Sequence, residues 1–315
     1  MGAVQIKEVR PAVTRGGGPW RRLFSQEGPT AVVLLLPSLI VVFGIIIYPL
    51  LKTLYTSFFA VDSAFPGHYP FVGLGNYAHV LRTGEFWDAV GHTAYFTVLT
   101  TFLEVFFGLL IGLLLNTDLK GRWLFRSIVI LPWALPTIVN GAMWRWIFNA
   151  DYGALNALLT QLHIIPHYRA WLGDPWTALN MVAVADIWKN TPLAAFFILA
   201  ALQTIPGDLC EAARVDGAGR LRSFFSITLP LLMPTIVIIL VLRTMEAFKV
   251  FDIIYVMTGG GPANGTETVA YYTYVEAFSN QLFGEGAALA YIIAIFILFF
   301  AIIYMRMLQR GEVEY

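Results

Sequence analysis

Long uninterrupted apolar runs constrain this chain more than any other feature. Six of them, at about 31–56, 89–115, 124–149, 177–203, 228–256 and 286–307, reach the roughly 20 residues that carry a helix across a bilayer. A buried soluble core does not account for them. Of the 315 residues, 58% are hydrophobic and 13% charged, which leaves too little polar surface to cover such a core. Lipid satisfies no backbone amide, so spanning segments are helices or closed barrels, and no alternating barrel pattern is present. The expected fold is all-α, a polytopic bundle of six transmembrane helices. Net charge is zero, which gives no electrostatic case for nucleic acid. A single cysteine, Cys210, excludes an intrachain disulfide framework and a multi-thiolate metal site.

Lys and Arg set the expected orientation. They gather before the first run (Lys7, Arg10, Arg15, Arg21, Arg22), after the second (Lys120, Arg122, Arg126), after the fourth (Arg214, Arg220, Arg222) and after the last (Arg306, Arg310). The other three connections hold only Arg82 and Arg169. Positive residues mark the cytoplasmic side, so both termini are expected there. Residues 1–30 then form a cytoplasmic arm and 31–315 the membrane domain. The arm has no short apolar core followed by a small-residue cleavage site, unlike a secretory leader. Its Trp20–Phe24 stretch reads as a short interfacial helix or as part of a disordered basic segment.

The connection at 204–230 carries the most specific pattern. In Pro206–Gly219, Asp208 is placed to cap a helix with Glu211 reaching back to the cap amide. Gly217 and Gly219 supply conformations that end it. Arg220 to Ser226 start a second short helix leading into the fifth span. Ala212 and Ala213 leave a shallow face that another protein can approach, although an ordinary amphipathic connector accounts for the same residues.

Glu211-Ala212-Ala213, Gly217 after three further residues, then Ile227, Leu229 and Pro230 resemble the EAA loop of ABC importer permeases. Phe71–Tyr77, Leu131–Pro136 and Trp171–Pro175 resemble the carbohydrate-importer subfamily. Phe251–Tyr255 followed by Thr258–Pro262 is similar to the F-type maltose permease subunit, in the shorter form of disaccharide and glycerol-phosphate permeases. The resemblance implies a type I importer permease of the bacterial inner membrane. Such a chain forms half the pathway for a neutral di- or oligosaccharide brought by an extracytoplasmic binding protein. Its other partners would be a second, related permease subunit in a heterodimer, two ATPase subunits and membrane lipid. The loop would insert as a coupling helix into an ATPase cleft, with Glu211 as polar anchor. Ala212, Ala213 and Gly217 would give the close fit, and Arg214 and Asp216 would belong to the same contact. No cofactor is expected on this chain. The glycine runs Gly16–Gly18 and Gly259–Gly261 lack the pattern that cradles nucleotide phosphates, so ATP and Mg belong to the partner ATPase.

Ionisable residues within the runs are the candidates for transport chemistry. They are Glu104, Arg145, Asp186, Lys189, Arg243, Glu246, Lys249 and Asp252, four basic against four acidic. Arg243, Glu246, Lys249 and Asp252 recur at intervals of three with alternating sign, a spacing that pairs neighbours along one helix as a ladder. Glu104 is expected to meet a lysine or arginine of a neighbouring span. Trp188-Lys189-Asn190 lies at the centre of the fourth run, where Pro192 removes the bond to the Trp188 carbonyl. Interrupted helices at the midplane are where transporters build substrate sites. By the resemblance, the pathway falls on Lys189, Asn190, Arg243, Glu246, Ala247 and Val250, with Trp188 and Lys249 beside them. Balanced charge favours a neutral sugar over a phosphorylated polyol, which is the alternative. An ion-coupled secondary transporter would need an inverted repeat, which is not detectable. A membrane enzyme would need a nucleophile–base pair or metal cluster, and neither is present in the sequence pattern. Gly108 and Gly112 form a small-x-x-x-small pair suited to helix packing.

Overall fold

The computed structural model describes residues 27–311 except Leu119, so the expected N-terminal arm and its Trp20–Phe24 stretch lie outside the described residues. Among the described residues there is no strand, only isolated bridges joining Phe59 to Phe71 and Asp62 to Leu282. The chain divides into two units, the first ending at Tyr55 and the second beginning at Thr56. In the first, α1 (Glu27–Val41) passes through a π-helical turn at Val42–Ile47 into α2 (Tyr48–Ser57). Pro49 cannot donate to the preceding turn, and the widened turn sits directly before it.

The second unit begins with the short α3 (Gly75–Val80) and the long α4 (Gly84–Leu115). Then come α5 (Arg122–Ala134), α6 (Thr137–Ile147), α7 (Ala154–Gln161) and α8 (Pro175–Leu202). After α9 (Gly207–Val215), α10 (Arg220–Ser223) runs through a π-helical turn at Phe224–Thr228 into α11 (Leu229–Phe248). The chain closes with α12 (Asp252–Met257), α13 (Val269–Tyr274) and α14 (Phe283–Gly311).

Five segments are long and apolar enough to cross a membrane: Leu34–Ser57, Gly84–Leu115, Pro175–Leu202, Arg220–Phe248 and Phe283–Arg306. The sixth expected span, 124–149, is not one straight helix. It is the pair α5 and α6, bent by 95°. Leu135 precedes Pro136 and is pushed to extended backbone (φ −72°, ψ 135°), which ends α5 one residue before the proline. The fifth span is displaced by eight residues toward the N-terminus from the expected 228–256. It stops at Phe248, and Lys249–Phe251 is non-helical before α12 restarts. At its other end, α10 is continuous with the span and not a separate short helix. The fourth span runs unbroken through Pro192, so the interruption expected there lies in its neighbours instead.

Helix α4 packs along α8 through small residues. A Cβ added to Gly108 would lie 2.6 Å from the Ala194 Cβ, and one on Gly112 would lie 3.0 Å from Ile198 Cγ2. The pair therefore lets two backbones approach, as its spacing predicts. Thr93, Thr97, Thr100, Thr101 and Glu104 continue the same buried stripe. One buried cluster joins Phe96, Leu179, Val182 and Ile253, and another joins Ile198, Leu232, Ile236 and Ile239, so α4, α8, α11 and α12 share a core.

Several motifs in the connections act as clasps. Asn76 Nδ2 donates to the Ser57 and Phe59 carbonyls at 2.8 and 2.9 Å, while the Tyr77 and Ser57 hydroxyls bond at 2.7 Å. Trp171 donates to Asn156 Oδ1 at 2.8 Å, and Asp174 caps α8 by accepting from Thr177 N. That capping carboxylate, which gains two bonds from Thr177 when ionised, titrates below the usual aspartate range.

Candidate functional site

Three helices bring their ionisable residues to one place. Arg243 on α11 is buried, and its guanidinium makes two parallel bonds to Glu104 on α4: Nε to Oε2 at 2.5 Å and Nη2 to Oε1 at 2.9 Å. Nη2 also reaches Asp186 Oδ2 on α8 at 3.5 Å, and Nη1 donates to Glu246 one turn along α11. Asn190 Nδ2 donates to Asp186 Oδ1 at 3.0 Å, so the second carboxylate is held as well. The planar fork of arginine fits a carboxylate bidentately, which a lysine cannot reproduce.

Asp186, Asn190, Arg243 and Glu246 of this network line a cavity of about 380 Å³. Its charged lining residues are Lys189, Arg243 and Lys249 against Asp186, Glu246 and Asp252, three of each sign. Both helix breaks border it. Trp133 and Thr137 flank the bend between α5 and α6, and Lys249, Val250, Phe251 and Asp252 make the break between α11 and α12. Thr268 Oγ1 donates to the Val250 carbonyl at 2.9 Å, so the second break is tied to the connection that follows. Non-helical backbone at membrane depth is tolerable where it lines a polar cavity.

Of the expected pathway residues, Lys189, Asn190, Arg243, Glu246, Ala247, Lys249 and Val250 line this cavity, and Trp188 does not. Its ring packs edge-on against Trp144 at 5.7 Å and lines a separate apolar groove with Leu103, Phe107 and Pro192. Successive helical residues are turned by about 100°, so an unbroken α8 cannot present Trp188 and Asn190 to one side. The expected ladder does not form either. Arg243 meets Glu246, but α11 ends at Phe248, and Lys249 and Asp252 leave the helical register. The arginine is neutralised across helices instead, with Glu104 as its main partner. Sequence reasoning left that partner open and did not place Trp133, Thr137 or Phe251 in the pathway, although Trp133 and Phe251 lie within the motifs that carry the resemblance. Pro136 was the available signal for Trp133 and Thr137.

The loop at 204–230 has a defined end. Gly217 has φ +79°, Ala218 N donates to Ala213 O at 2.8 Å, and Gly217 N donates to Arg214 O at 3.1 Å. That is the Schellman stop, with glycine in the left-handed position it needs. Other expectations for the loop are corrected. Pro206 occupies the cap position, with Asp208 inside the first turn, so no capping box forms. Gly219, at φ −66°, starts α10 and does not end α9. Ala213 is turned inward and buried, so the shallow outer face consists of Glu211, Ala212, Arg214, Val215 and Asp216. Exposed Val215 and Leu221 extend it with apolar surface. Among the described residues no group of three or more His, Cys, Asp or Glu is placed to hold a metal ion.

Comparison with known proteins yields concordant matches. The model of the family described as binding-protein-dependent transport system inner membrane component matches residues 104–311. The chain is 40% identical over 285 residues to the trehalose/maltose transport system permease protein MalF of Thermococcus litoralis, covering 90% of this chain and 95% of that one. It is 39% identical to the sulfoquinovosyl glycerol transport system permease protein SmoG of Agrobacterium fabrum, covering 90% and 91%. Among solved structures, a chain of a bacterial ABC transporter involved in the import of the acidic polysaccharide alginate superposes with a TM-score of 0.80 at 22% identity. That superposition covers 93% of this chain and 99% of the other, and it establishes the fold.

Proposed function

The chain belongs to the family of binding-protein-dependent transport system inner membrane components, and from that premise we propose that it forms half the pathway by which an ATP-driven importer carries a neutral di- or oligosaccharide. It is a multi-pass translocation subunit and not an enzyme, with hydrolysis carried out on a separate ATPase subunit. The trehalose/maltose name of the 40% identical relative supports the saccharide class. The observation that carries the substrate reading is the cavity bordered by two helix breaks. Its charges balance, and its one buried guanidinium is already occupied by carboxylates, leaving hydrogen-bonding groups and not a net field for the substrate. A phosphorylated polyol would call for excess positive charge there. Lys189, Asn190, Glu246 and Lys249 are the proposed substrate-facing polar groups, with Ala247 and Val250 shaping the wall.

In this reading a binding protein delivers the sugar from outside, a second, related permease completes the pathway, and two ATPase subunits bind ATP and Mg. Both termini and the 204–230 loop face the cytoplasm. Glu211, Ala212, Arg214 and Asp216 form the face of α9 that seats in the ATPase, and Gly217 fixes where that helix stops. The test is uptake into proteoliposomes holding the complete importer, using labelled trehalose and maltose beside glycerol 3-phosphate. ATP-dependent uptake of the disaccharides is expected. Uptake of glycerol 3-phosphate alone would move the substrate class to the polyol phosphates. Uptake driven by an ion gradient without ATP would overturn the importer reading.

A further inference from the structure

The segment joining the fifth and sixth spans carries a column of aromatic rings that starts at the cavity. Phe251, a lining residue, stacks on Tyr255 at 5.6 Å and on Tyr271 at 5.9 Å, and lies 5.1 Å from Tyr274. Tyr274 lies 5.5 Å from Phe278, which meets Phe283 edge-on at 5.9 Å. Of these rings only Tyr271 packs against a buried apolar cluster. Tyr255 and Phe278 are 51% and 63% exposed, and Tyr255, Tyr274, Phe278 and Phe283 belong to none of the buried apolar clusters. The backbone makes room for the column. Gly260 has φ +82°, and a Cβ there would lie 2.7 Å from the Tyr271 ring. Thr268 accepts from Tyr271 N at the start of α13 and donates to the Val250 carbonyl, fixing the base of the column to the cavity wall.

We propose that Phe251, Tyr255, Tyr271, Tyr274, Phe278 and Phe283 form a saccharide track leading from the outer face to the charged cavity. It rests on the saccharide reading above and adds a binding site outside the cavity. A pyranose has an apolar C–H face and a rim of hydroxyls. Ring faces take the first, and tyrosine hydroxyls exchange hydrogen bonds with the second. Centroid steps of 5.1–5.9 Å are close to the length of one sugar residue, so successive units of a chain can occupy successive rings. Several weak sites in a row allow passage where one tight site would trap the ligand. This column runs from Phe251 through the connection to Phe283 at the start of α14, and its first ring lines a cavity with six charged groups.

Uptake by the complete importer in proteoliposomes tests the track, with labelled trehalose, maltose and maltotriose as probes. Tyr255→Leu and Phe278→Leu should each lower uptake about tenfold, with the larger loss for maltotriose. Leucine keeps the apolar bulk and removes the flat face, and either variant alone decides the matter if the other fails to fold. Leucine variants that carry all three sugars at the parental rate overturn the track while the saccharide reading stands. Loss of the second permease from the purified Phe278→Leu complex overturns it in favour of a subunit contact. A parental importer that carries none of the sugars overturns both.

Discussion

Arg243 presents five N–H donors, and carboxylates from three helices meet them on its Nε, Nη1 and Nη2. Removing one partner of a buried ion pair leaves an uncompensated charge and costs about 3–5 kcal/mol. Glu104 is fully buried, so Glu104→Ala should lower the thermal midpoint of the purified complex by several degrees. Arg243→Lys should not substitute, because an ammonium cannot bridge Glu104 bidentately while also reaching Glu246. Glu246 differs in being half exposed. Glu246→Ala should change stability by about 1 kcal/mol or less yet reduce uptake, leaving Lys189 and Lys249 in excess around the sugar. Lys189 has no ion pair within 4 Å among the described residues, so Lys189→Ala should likewise reduce uptake with little change in the midpoint. Parental uptake in both variants would place the substrate site elsewhere. Outside the spans, burial, aided by Glu276 and Glu85, raises Glu267 to about 7. The folded protein therefore holds a proton that the unfolded chain releases between about pH 4.5 and 7, and stability from this group falls as pH rises through that window. Thermal midpoints measured from pH 5 to pH 8 should show that fall, and Glu267→Gln should flatten it.

Gly217 shows what one glycine does for a helix. At φ +79° a Cβ meets the following carbonyl, so Gly217→Ala should cost about 1–2 kcal/mol locally. Apart from Gly217 itself and its chain neighbours, no atom lies within 4 Å of the added Cβ, so the helix itself has room to persist. Gly217→Arg should leave the protein inserted but reduce ATPase stimulation by loaded binding protein in the reconstituted importer. Full stimulation with full uptake would count against α9 as the coupling element. Gly217 was legible because a stop signal is local, written in one residue and its spacing from Glu211. The spans were legible for the same reason, since hydropathy sums over neighbours in the chain. What sequence missed was set by tertiary packing. Proline marks a place where a helix can break, not whether it does. Pro136, whose preceding residue is extended, marks the 95° bend, while Pro192, buried within α8, left its helix intact. The ladder reading failed similarly: a three-residue spacing pairs charges only while the helix lasts, and α11 ends at Phe248. Glu104 could be flagged as expensive in lipid, but its partner lies 139 residues away and only the fold names it.

Over the whole molecule, exposed charge beside the cavity supports the proposed second permease. Glu246, Lys249 and Asp252 border the cavity and are exposed, which lipid does not accept. A second pathway-forming surface would cover them. One chain with a single coupling loop, and no internal repeat to supply the other half, fits a partner that is related but different. The orientation on which this rests can be measured first. In a Cys210→Ser background, Val215→Cys, 87% exposed on the 204–230 loop, should react with a membrane-impermeant maleimide only from the cytoplasmic side. Asn280→Cys, exposed in the segment before α14, should react only from outside. The reverse pattern would invert the pathway and place α9 beyond reach of an ATPase. With orientation fixed, the chain expressed together with the ATPase alone should yield no complex that hydrolyses ATP in response to loaded binding protein. Adding the second permease should restore both the complex and the response. An active importer assembled from this chain and the ATPase alone would mean that two copies cover each other's cavities, and the heterodimer would give way to a homodimer.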